Sequence, residues 1–355
     1  MIYLLVILFL IGAAEISARL LYSKKHGLKF IPKRIGEYPY NRFVEECGPP
    51  LYWRLKPGQG EQEVHINSLG LRSPERRQGC RHLWVVGESD LFGAKLIHEE
   101  KIWFKALQGH LDRAGYDIQV MNASVIGYNS HQAMAAVTQL PIEKDDLILL
   151  RPNVNDISIA YMHGSDWEPA TPWPMAFIHK LERHKPWVFK LADMSCLGMG
   201  LRRRFFKESN ITSAFTPKPG FQLEPVVAHQ KECLGQMIEF ARSKGATVGF
   251  FDLGFSYEPE IRPGDRAKLS SIQGNWESLV SGWAHYQFQS MDAIVKQLAE
   301  PAGLPVLKVS SHIWQHPDRY HLFLDLVHFN EHGHAVFAQA LYDELVASRL
   351  LNKGN

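Results

Sequence analysis

Residues 82–93 read HLWVVGESDLFG, a short apolar run followed at once by the polar stretch GESD. An uninterrupted apolar run of this length is typical of a strand that is buried on both faces. The serine in the polar stretch, Ser89, therefore stands where a strand ends. It has two interpretations: a cap for the helix that follows, or a nucleophile presented at the tip of the strand.

Strands and helices alternate along the rest of the chain. Apolar residues recur with helical spacing at 101–115, 129–138, 226–245, 284–300 and 333–351. Further strand-like runs are YDIQVMNAS (116–124), DDLILLRP (145–152), ATVGFFDLG (246–254) and LPVLKVS (304–310). This alternation predicts an α/β fold, a three-layer α/β/α sandwich around a mainly parallel, five-stranded sheet of flavodoxin-like type.

The composition argues against several classes of protein. Of the 355 residues, 45% are hydrophobic and 21% are charged, and the net charge of +2 gives no sign of a nucleic-acid partner. The cysteines form no CxxC pair, which argues against a zinc ribbon and neither requires nor excludes a disulfide. We therefore assign no cofactor and no metal from the sequence.

The chain begins with a stretch that carries no charged side chain, MIYLLVILFLIGAA. Read as one helix to residue 22, the segment is about 33 Å long, enough to cross the hydrocarbon core of a membrane. Glu15 and Arg19 lie four residues apart in it and are expected to pair. We therefore predict a transmembrane helix that serves as an uncleaved, single-pass membrane anchor. The predicted organisation is this anchor at 1–22, an arm at 23–81 and a main domain at 82–352.

Two insertions, at about 157–224 and 255–283, interrupt the predicted main domain. The first contains a basic and aromatic segment, 179–207, with three consecutive arginines, Arg202, Arg203 and Arg204. This segment is interpreted either as a solvated helical face or as a segment that lies on a membrane surface.

A polar motif follows four of the five predicted strands. Ser89 follows the first strand, Gly127 the second and Asn155 the third. The pair Asp325 and His328 follows the last strand. Because the carboxyl ends of parallel strands meet at one edge of a sheet, we expect these residues to lie close together.

These residue types are the parts of a catalyst for acyl transfer. A serine hydroxyl becomes a nucleophile when an imidazole takes its proton, and a carboxylate orients that imidazole and stabilises its charged form. We predict Ser89 as the nucleophile, His328 as the base and Asp325 as the orienting residue. The predicted donors to an oxyanion are the backbone N–H groups of Ser89 and Gly127 and the side-chain amide of Asn155.

The four motifs, in this order, resemble the Ser, Gly, Asn and His blocks of the SGNH (GDSL-type) hydrolase family, in its membrane-anchored bacterial form. The resemblance covers about residues 82–350 and implies the roles just given. Two positions depart from the usual pattern of the family. Glu88 stands where the first block has aspartate, and Asn153 stands where the third block has glycine.

The resemblance implies a serine esterase that hydrolyses O-acyl esters, often acetyl esters, of carbohydrates or lipids. One alternative is an O-acyltransferase that uses the same triad on an envelope glycan. Another is a non-catalytic, anchored glycan-binding or scaffold subunit, for which Glu88 and Asn153 are the only support. The expected partners are the acyl-ester substrate and the membrane, and partners in envelope biosynthesis stay unidentified.

The side of the membrane has two conflicting indications. Basic residues follow the predicted anchor, and the positive-inside rule then places the main domain in the cytoplasm. Glycan or lipid substrates of the envelope, which the family resemblance implies, favour a domain outside the cytoplasm. We predict the second location.

Two further stretches have competing interpretations. HFNEHGH (328–334) has histidines at the spacing of metal ligands, but no HExxH motif is present and we expect the residues after His328 to open the last helix. INSLGLRSPE (66–75) has either a catalytic or a structural role, and we favour the second, in which Gly70 forms a turn and Arg72 docks the arm on the sheet by pairing with a carboxylate.

Overall fold

A computed structural model describes most of the chain, as two units. The described residues are 2–25, 43–61, 64–94, 98–173, 195, 218–252, 254–260, 264–272 and 279–351. The first unit is Met1–Asn41 with Pro174–Ile211, and the second is Arg42–Trp173 with Thr212–Asn355. Apart from Ser195, the segment 179–207 lies outside the described residues. The predicted borders of anchor, arm and main domain stay predictions.

The first unit contains helix α1 (Ile2–Lys25) over the predicted anchor. Glu15 and Arg19 form the expected pair, with Oε1 and Nε 2.6 Å apart, and the Ser195 hydroxyl donates to Glu15 Oε2 at 2.7 Å. Within the described part of the chain, we find no helix with the length and apolar character that crossing a membrane requires. The helix is therefore present, but the predicted transmembrane anchor is not supported.

The second unit begins with two short antiparallel pairs of strands. Strand β1 (Val44–Glu46) pairs with β2 (Trp53–Leu55), and β3 (Gly60–Glu61) pairs with β4 (Val64–His65). The sequence pattern predicts none of these strands, because a strand of two or three residues is too short to show a period.

A parallel sheet of five strands forms the centre of the second unit. Its strands are β5 (Arg81–Val85), β6 (Ile118–Asn122), β7 (Leu147–Leu150), β8 (Thr247–Phe251) and β9 (Val306–Leu307). The order across the sheet is β6-β5-β7-β8-β9, and every neighbouring pair is parallel. Each strand overlaps one of the predicted runs, so the predicted α/β fold with a parallel five-stranded sheet is confirmed.

Helices connect the strands and cover both faces of the sheet. They are α2 (Ser89–Phe92), α3 (Trp103–Arg113), α4 (Ser130–Val137), α5 (Val154–His163), α6 (Leu223–Ser243), α7 (Arg266–Ile272), α8 (His285–Ile294), α9 (Val309–Gln315) and α10 (Glu331–Ala347). Single 3₁₀ or π turns lie at Glu99–Lys101, Gly164–Asp166, Leu279–Ala284, Val295–Ala299 and Arg319–Leu322.

Alternate side chains of strand β5 enter two different cores. Leu83 and Val85 of β5 pack in one core with apolar residues of α3, α9 and α10. Trp84 and the following Val86 pack in the other core with apolar residues of α4, α6 and α8. Because successive side chains of a strand point to opposite faces, a strand buried on both faces needs the continuous apolar run seen in the sequence.

The segment that precedes the sheet docks on the loop between β6 and α4. Trp53 Nε1 donates to the carbonyl of Ile126 at 3.0 Å, and the Tyr128 hydroxyl donates to the carbonyl of Trp53 at 2.7 Å. Gln132 Nε2 donates to the carbonyl of Leu51 at 2.6 Å. This segment therefore fixes the course of the loop that contains Gly127.

The same segment also docks near the end of β5 through Arg72. Gly70 has a φ of +74°, as expected for a residue that forms a turn. The Arg72 side chain is fully buried, and its Nη1 donates to the carbonyls of Phe92 and Gly93 at 3.1 and 3.0 Å. The residues before the sheet thus contact both the loop that contains Gly127 and the end of α2.

Two glycines provide a matched test of the packing around α10. A Cβ atom at Gly333 would overlap the backbone carbonyl of Leu322, whereas a Cβ atom at Gly235 in α6 would contact nothing within 4 Å. We expect Gly333→Ala to lower the free energy of unfolding by about 1–3 kcal/mol. Gly235→Ala should raise it by about 0.5–1 kcal/mol, because alanine loses less entropy in a helix. Chemical denaturation measures both, and equal effects would contradict this packing.

Candidate active site

The sheet has a switch point beside β5, at its carboxyl edge. From β5 the chain crosses to β6 on one side, whereas the next strand, β7, lies on the other side of β5. Connections that leave in opposite directions open a crevice, which is where α/β sheets of this kind hold their sites. Ser89 follows β5 and Asn155 follows β7, so both residues stand at this crevice.

Three of the predicted side chains are in contact there. Ser89 Oγ lies 2.9 Å from His328 Nε2. His328 Nδ1 lies 2.8 Å from Oδ2 of Asp325 and 3.0 Å from its Oδ1. Because an ionised carboxylate only accepts hydrogen bonds, the ring proton is assigned to Nδ1, and Nε2 accepts from the Ser89 hydroxyl. This arrangement can transfer the hydroxyl proton to the imidazole.

The loop that carries Asp325 and His328 is fixed by its own hydrogen bonds. Asp325 Oδ1 accepts the N–H groups of Val327 and His328 at 2.9 and 2.8 Å. The Leu324 N–H donates to the carbonyl of His328 at 2.7 Å. The side chains of Asp325 and His328 stay 22% and 20% exposed, so the pair is held in place and is open to a reactant.

The alternative role of Ser89, as a helix cap, does not fit the geometry. Helix α2 begins with Ser89, and the residue in the cap position is Glu88, whose side chain makes no capping hydrogen bond. The Ser89 hydroxyl instead contacts His328. A Cβ atom at Gly87 would overlap the side chain of Leu91, so glycine allows α2 to start this close to the strand.

The loop of Gly127 and the side chain of Asn155 are joined through Tyr128. Gly127 has a φ of +75°, which glycine adopts without strain. Asn155 Nδ2 donates to the carbonyl of Tyr128 at 2.8 Å. The amide carries two N–H bonds, and one of them makes this hydrogen bond. The third predicted donor, the Ser89 N–H, lies in the first turn of α2, where N–H groups have no acceptor within the helix.

Glu88 connects the serine motif to the asparagine motif. Its Oε1 accepts the N–H of Val154 at 3.1 Å, and its Oε2 contacts Arg151 Nη2. The same nitrogen lies 2.7 Å from both carboxylate oxygens of Asp90. The side chains of this Arg151 cluster (Glu88, Asp90 and Arg151) are each about 1% exposed. Glu88, which departs from the family pattern, is therefore held in place by its contacts with Val154 and Arg151.

The Arg151 cluster contains two carboxyl groups and only one guanidinium. Burial raises the pKa of Glu88 to about 8, because the loss of solvation outweighs the favourable charge of Arg151. The negative charge of Asp90 raises it further. The folded protein therefore keeps a proton on Glu88 at a pH where an exposed glutamate has lost it.

Asn153, the second departure, caps the helix that carries Asn155. Its side-chain oxygen accepts the Asn155 N–H at 2.9 Å, and it occupies the cap position of α5. Its backbone carbonyl accepts from Gln230 Nε2 of α6 at 2.7 Å. A glycine at this position would lack the capping oxygen, so Asn153 helps to position Asn155.

Sequence reasoning missed the buried polar contacts behind Asn155. Asp156 accepts from the N–H and the hydroxyl of Ser130, at 3.1 and 2.5 Å, and from Gln230 Nε2 at 3.1 Å. Burial raises the pKa of the Asp156 carboxyl. The available signal was a stretch rich in polar residues directly after a buried strand, RPNVND (151–156), but the partners of these residues are distant in the sequence.

The histidines of HFNEHGH do not converge on a common point. His328 contacts Asp325 and Ser89. His334 is fully buried, and burial lowers its pKa to about 3, whereas His332 is exposed in the first turn of α10. The metal interpretation of this stretch, which the sequence analysis set aside, has no support in these positions.

Comparisons with known proteins place the chain beside solved structures of low sequence identity. No family model and no curated protein matches the sequence. TesA is 16% identical, with a TM-score of 0.42, over 76% of this chain and 100% of that one. The lipase/acylhydrolase from Enterococcus faecalis is 11% identical, with a TM-score of 0.43, over 78% and 99%. The psychrotrophic esterase EstA from Pseudoalteromonas sp. is 14% identical, with a TM-score of 0.40, over 77% and 100%.

The proton on Glu88 leads to a pH-dependent stability. The folded-state pKa is about 8 and the ordinary value is 4.5, so the folded protein binds a proton that the unfolded chain has released. The free energy of unfolding should therefore fall as the pH rises through this interval. Glu88→Gln removes the titration and should flatten this dependence, measured by chemical denaturation across the interval. The control Glu100→Gln, at a largely exposed side chain, should keep the slope, and equal slopes in both variants would contradict the assignment.

Proposed function

We propose that the chain is a serine esterase of the SGNH type, which hydrolyses O-acyl esters. The proposal is carried by the continuous contact from Ser89 Oγ to His328 Nε2, at 2.9 Å, and from His328 Nδ1 to Asp325, at 2.8 Å. The position of the serine at the switch point of a parallel sheet supports it. The SGNH assignment itself rests on the order of the four sequence motifs.

The first half of the reaction forms an acyl-enzyme. Ser89 Oγ attacks the carbonyl carbon of the ester, and its proton passes to His328 Nε2. Asp325 stabilises the resulting imidazolium through Nδ1. The carbonyl oxygen becomes an oxyanion. It accepts hydrogen bonds from the backbone N–H groups of Ser89 and Gly127 and from the side-chain amide of Asn155. When the intermediate collapses, the C–O bond to the alcohol breaks, and His328 returns the proton to the leaving alkoxide.

The second half of the reaction releases the acyl group. His328 takes a proton from a water molecule, whose oxygen attacks the acyl carbon and forms a second oxyanion in the same place. The bond to Ser89 Oγ then breaks, the serine regains its proton from His328, and a carboxylic acid leaves. A sugar hydroxyl in place of the water gives acyl transfer, so the O-acyltransferase alternative uses the same residues.

The non-catalytic alternative loses its support in the geometry of the site. Its basis was the presence of Glu88 and Asn153 in place of the usual residues. Glu88 accepts the Val154 N–H, and Asn153 caps α5, so both residues hold the chain next to Asn155. A carbohydrate or lipid O-acyl ester stays the proposed substrate, on the basis of the family resemblance. The location outside the cytoplasm stays a prediction.

Replacement of the nucleophile is the direct test of the proposal. We expect Ser89→Ala to abolish hydrolysis of a p-nitrophenyl acyl ester and labelling by a fluorophosphonate probe, because no other group supplies the attacking oxygen. Serine attack on the probe forms an Oγ–P bond and expels fluoride. The control Ser243→Ala, at an exposed serine of α6, should keep both activities. Labelling of Ser89→Ala at the wild-type rate would falsify the proposal.

The oxyanion donor has a separate kinetic signature. Asn155→Ala should lower kcat by about 10²–10³-fold and leave KM nearly unchanged, because the side-chain N–H binds an oxygen charge that forms only in the transition state. Steady-state kinetics with the same ester measure both constants. A change confined to KM would assign Asn155 to ground-state binding instead.

Hydrolysis and transfer are distinguished by the fate of the acyl group. With a sugar alcohol added to the ester, a hydrolase should release free acid at an unchanged rate, since water remains the acceptor. An acyltransferase should yield acylated sugar at the expense of free acid. Mass spectrometry of the products measures the partition.

A further inference from the structure

A cluster of three side chains lies between α4 and α6, outside the proposed ester chemistry. His131 belongs to α4, and His229 and Cys233 lie one turn apart on α6. One ligand atom from each residue lies within 4.8 Å of the other two. Residues at i and i+4 share one face of a helix, so His229 and Cys233 both face α4 at this place.

We propose that His131, His229 and Cys233 bind a zinc ion, which joins α4 to α6. Imidazole nitrogen and thiolate sulfur are ligands that Zn²⁺ prefers, and two histidines, one cysteine and a water in the fourth position would complete its tetrahedral coordination. His229 and Cys233 are buried, whereas His131 is half-buried and leaves a side from which the ion and the water can enter.

The distances suit a tetrahedral ion. With a Zn–S bond of about 2.3 Å and a Zn–N bond of about 2.0 Å, a sulfur and a nitrogen on one ion are about 3.5 Å apart. Cys233 Sγ and His229 Nε2 are already 3.6 Å apart. The whole set spans up to 4.8 Å, so binding needs an inward shift of about 1 Å, which the half-buried side chain of His131 can supply.

Ring contacts hold two of the ligands in place. The rings of His131 and His229 are stacked with centroids 6.2 Å apart, and the ring of Trp167 meets His229 edge-on at 6.2 Å.

Binding of zinc by Cys233 exchanges a proton for the metal. When Zn²⁺ binds, the S–Zn bond replaces the S–H bond and the proton is released to water.

The test is metal binding by the full chain, measured without any substrate. Protein freed of metal by a chelator is titrated with Zn²⁺ alone in competition with a chromogenic chelator, and with Co²⁺ as a spectroscopic substitute. We expect one ion per chain, a thiolate-to-cobalt absorption band, and a higher midpoint of thermal unfolding with Zn²⁺. No bound Zn²⁺, or bound Co²⁺ without the thiolate band, overturns the proposal.

Matched variants locate the ion. Cys233→Ser should abolish the cobalt band and weaken zinc affinity more than about a hundredfold, and His131→Gln should weaken it more than about tenfold. The controls Cys80→Ser and His285→Gln, at residues outside the cluster, should bind as the wild type does. His131 is half-buried, so His131→Gln should fold even if Cys233→Ser does not. Unchanged zinc affinity in His131→Gln places the ion elsewhere and overturns the proposal.

Discussion

One buried guanidinium organises the carboxyl edge of the sheet. Arg151 follows β7, and the carboxylates that it contacts, Glu88 and Asp90, stand on either side of the serine that follows β5. A buried guanidinium that loses its partners is strongly destabilising, so the loops after β5 and β7 must adopt the arrangement in which Arg151 contacts Glu88 and Asp90. In that arrangement the residue between the two carboxylates, Ser89, presents its hydroxyl to His328.

The sheet could be predicted from the sequence, because a buried parallel strand has to be apolar on both faces. Trp84 and Val85 of β5 enter opposite cores, and that requirement is visible as an uninterrupted run. The pairs β1–β2 and β3–β4 could not be predicted, since their position depends on contacts such as that of Trp53 with Ile126. At the N-terminus, the apolar sequence correctly indicated a helix, α1, but its predicted passage through a membrane is not supported.

The residues of the candidate site could be named from the sequence, because each follows a predicted strand. The hydrogen bonds that hold these residues in place could not be predicted from the sequence. Glu88 and Asn153 looked like defects only because the partners that use them, the N–H groups of Val154 and Asn155, are invisible without a fold. The cluster proposed to bind zinc is also hard to see in the sequence, because helical spacing relates His229 to Cys233 but nothing brings the distant His131 to them.

The segment before the sheet changes what counts as the smallest working part of this chain. The sequence predicts a main domain that begins at residue 82, within β5. Yet Trp53 hydrogen-bonds the loop of Gly127, and Leu51 accepts from Gln132 in α4. Arg72 donates to the last residue of α2. A chain that started at β5 would keep every residue proposed for the chemistry. It would lose the hydrogen bonds from Leu51, Trp53 and Arg72 that hold the surrounding segments in place. The arm is in this sense part of the candidate site, although it supplies none of the residues proposed for the chemistry.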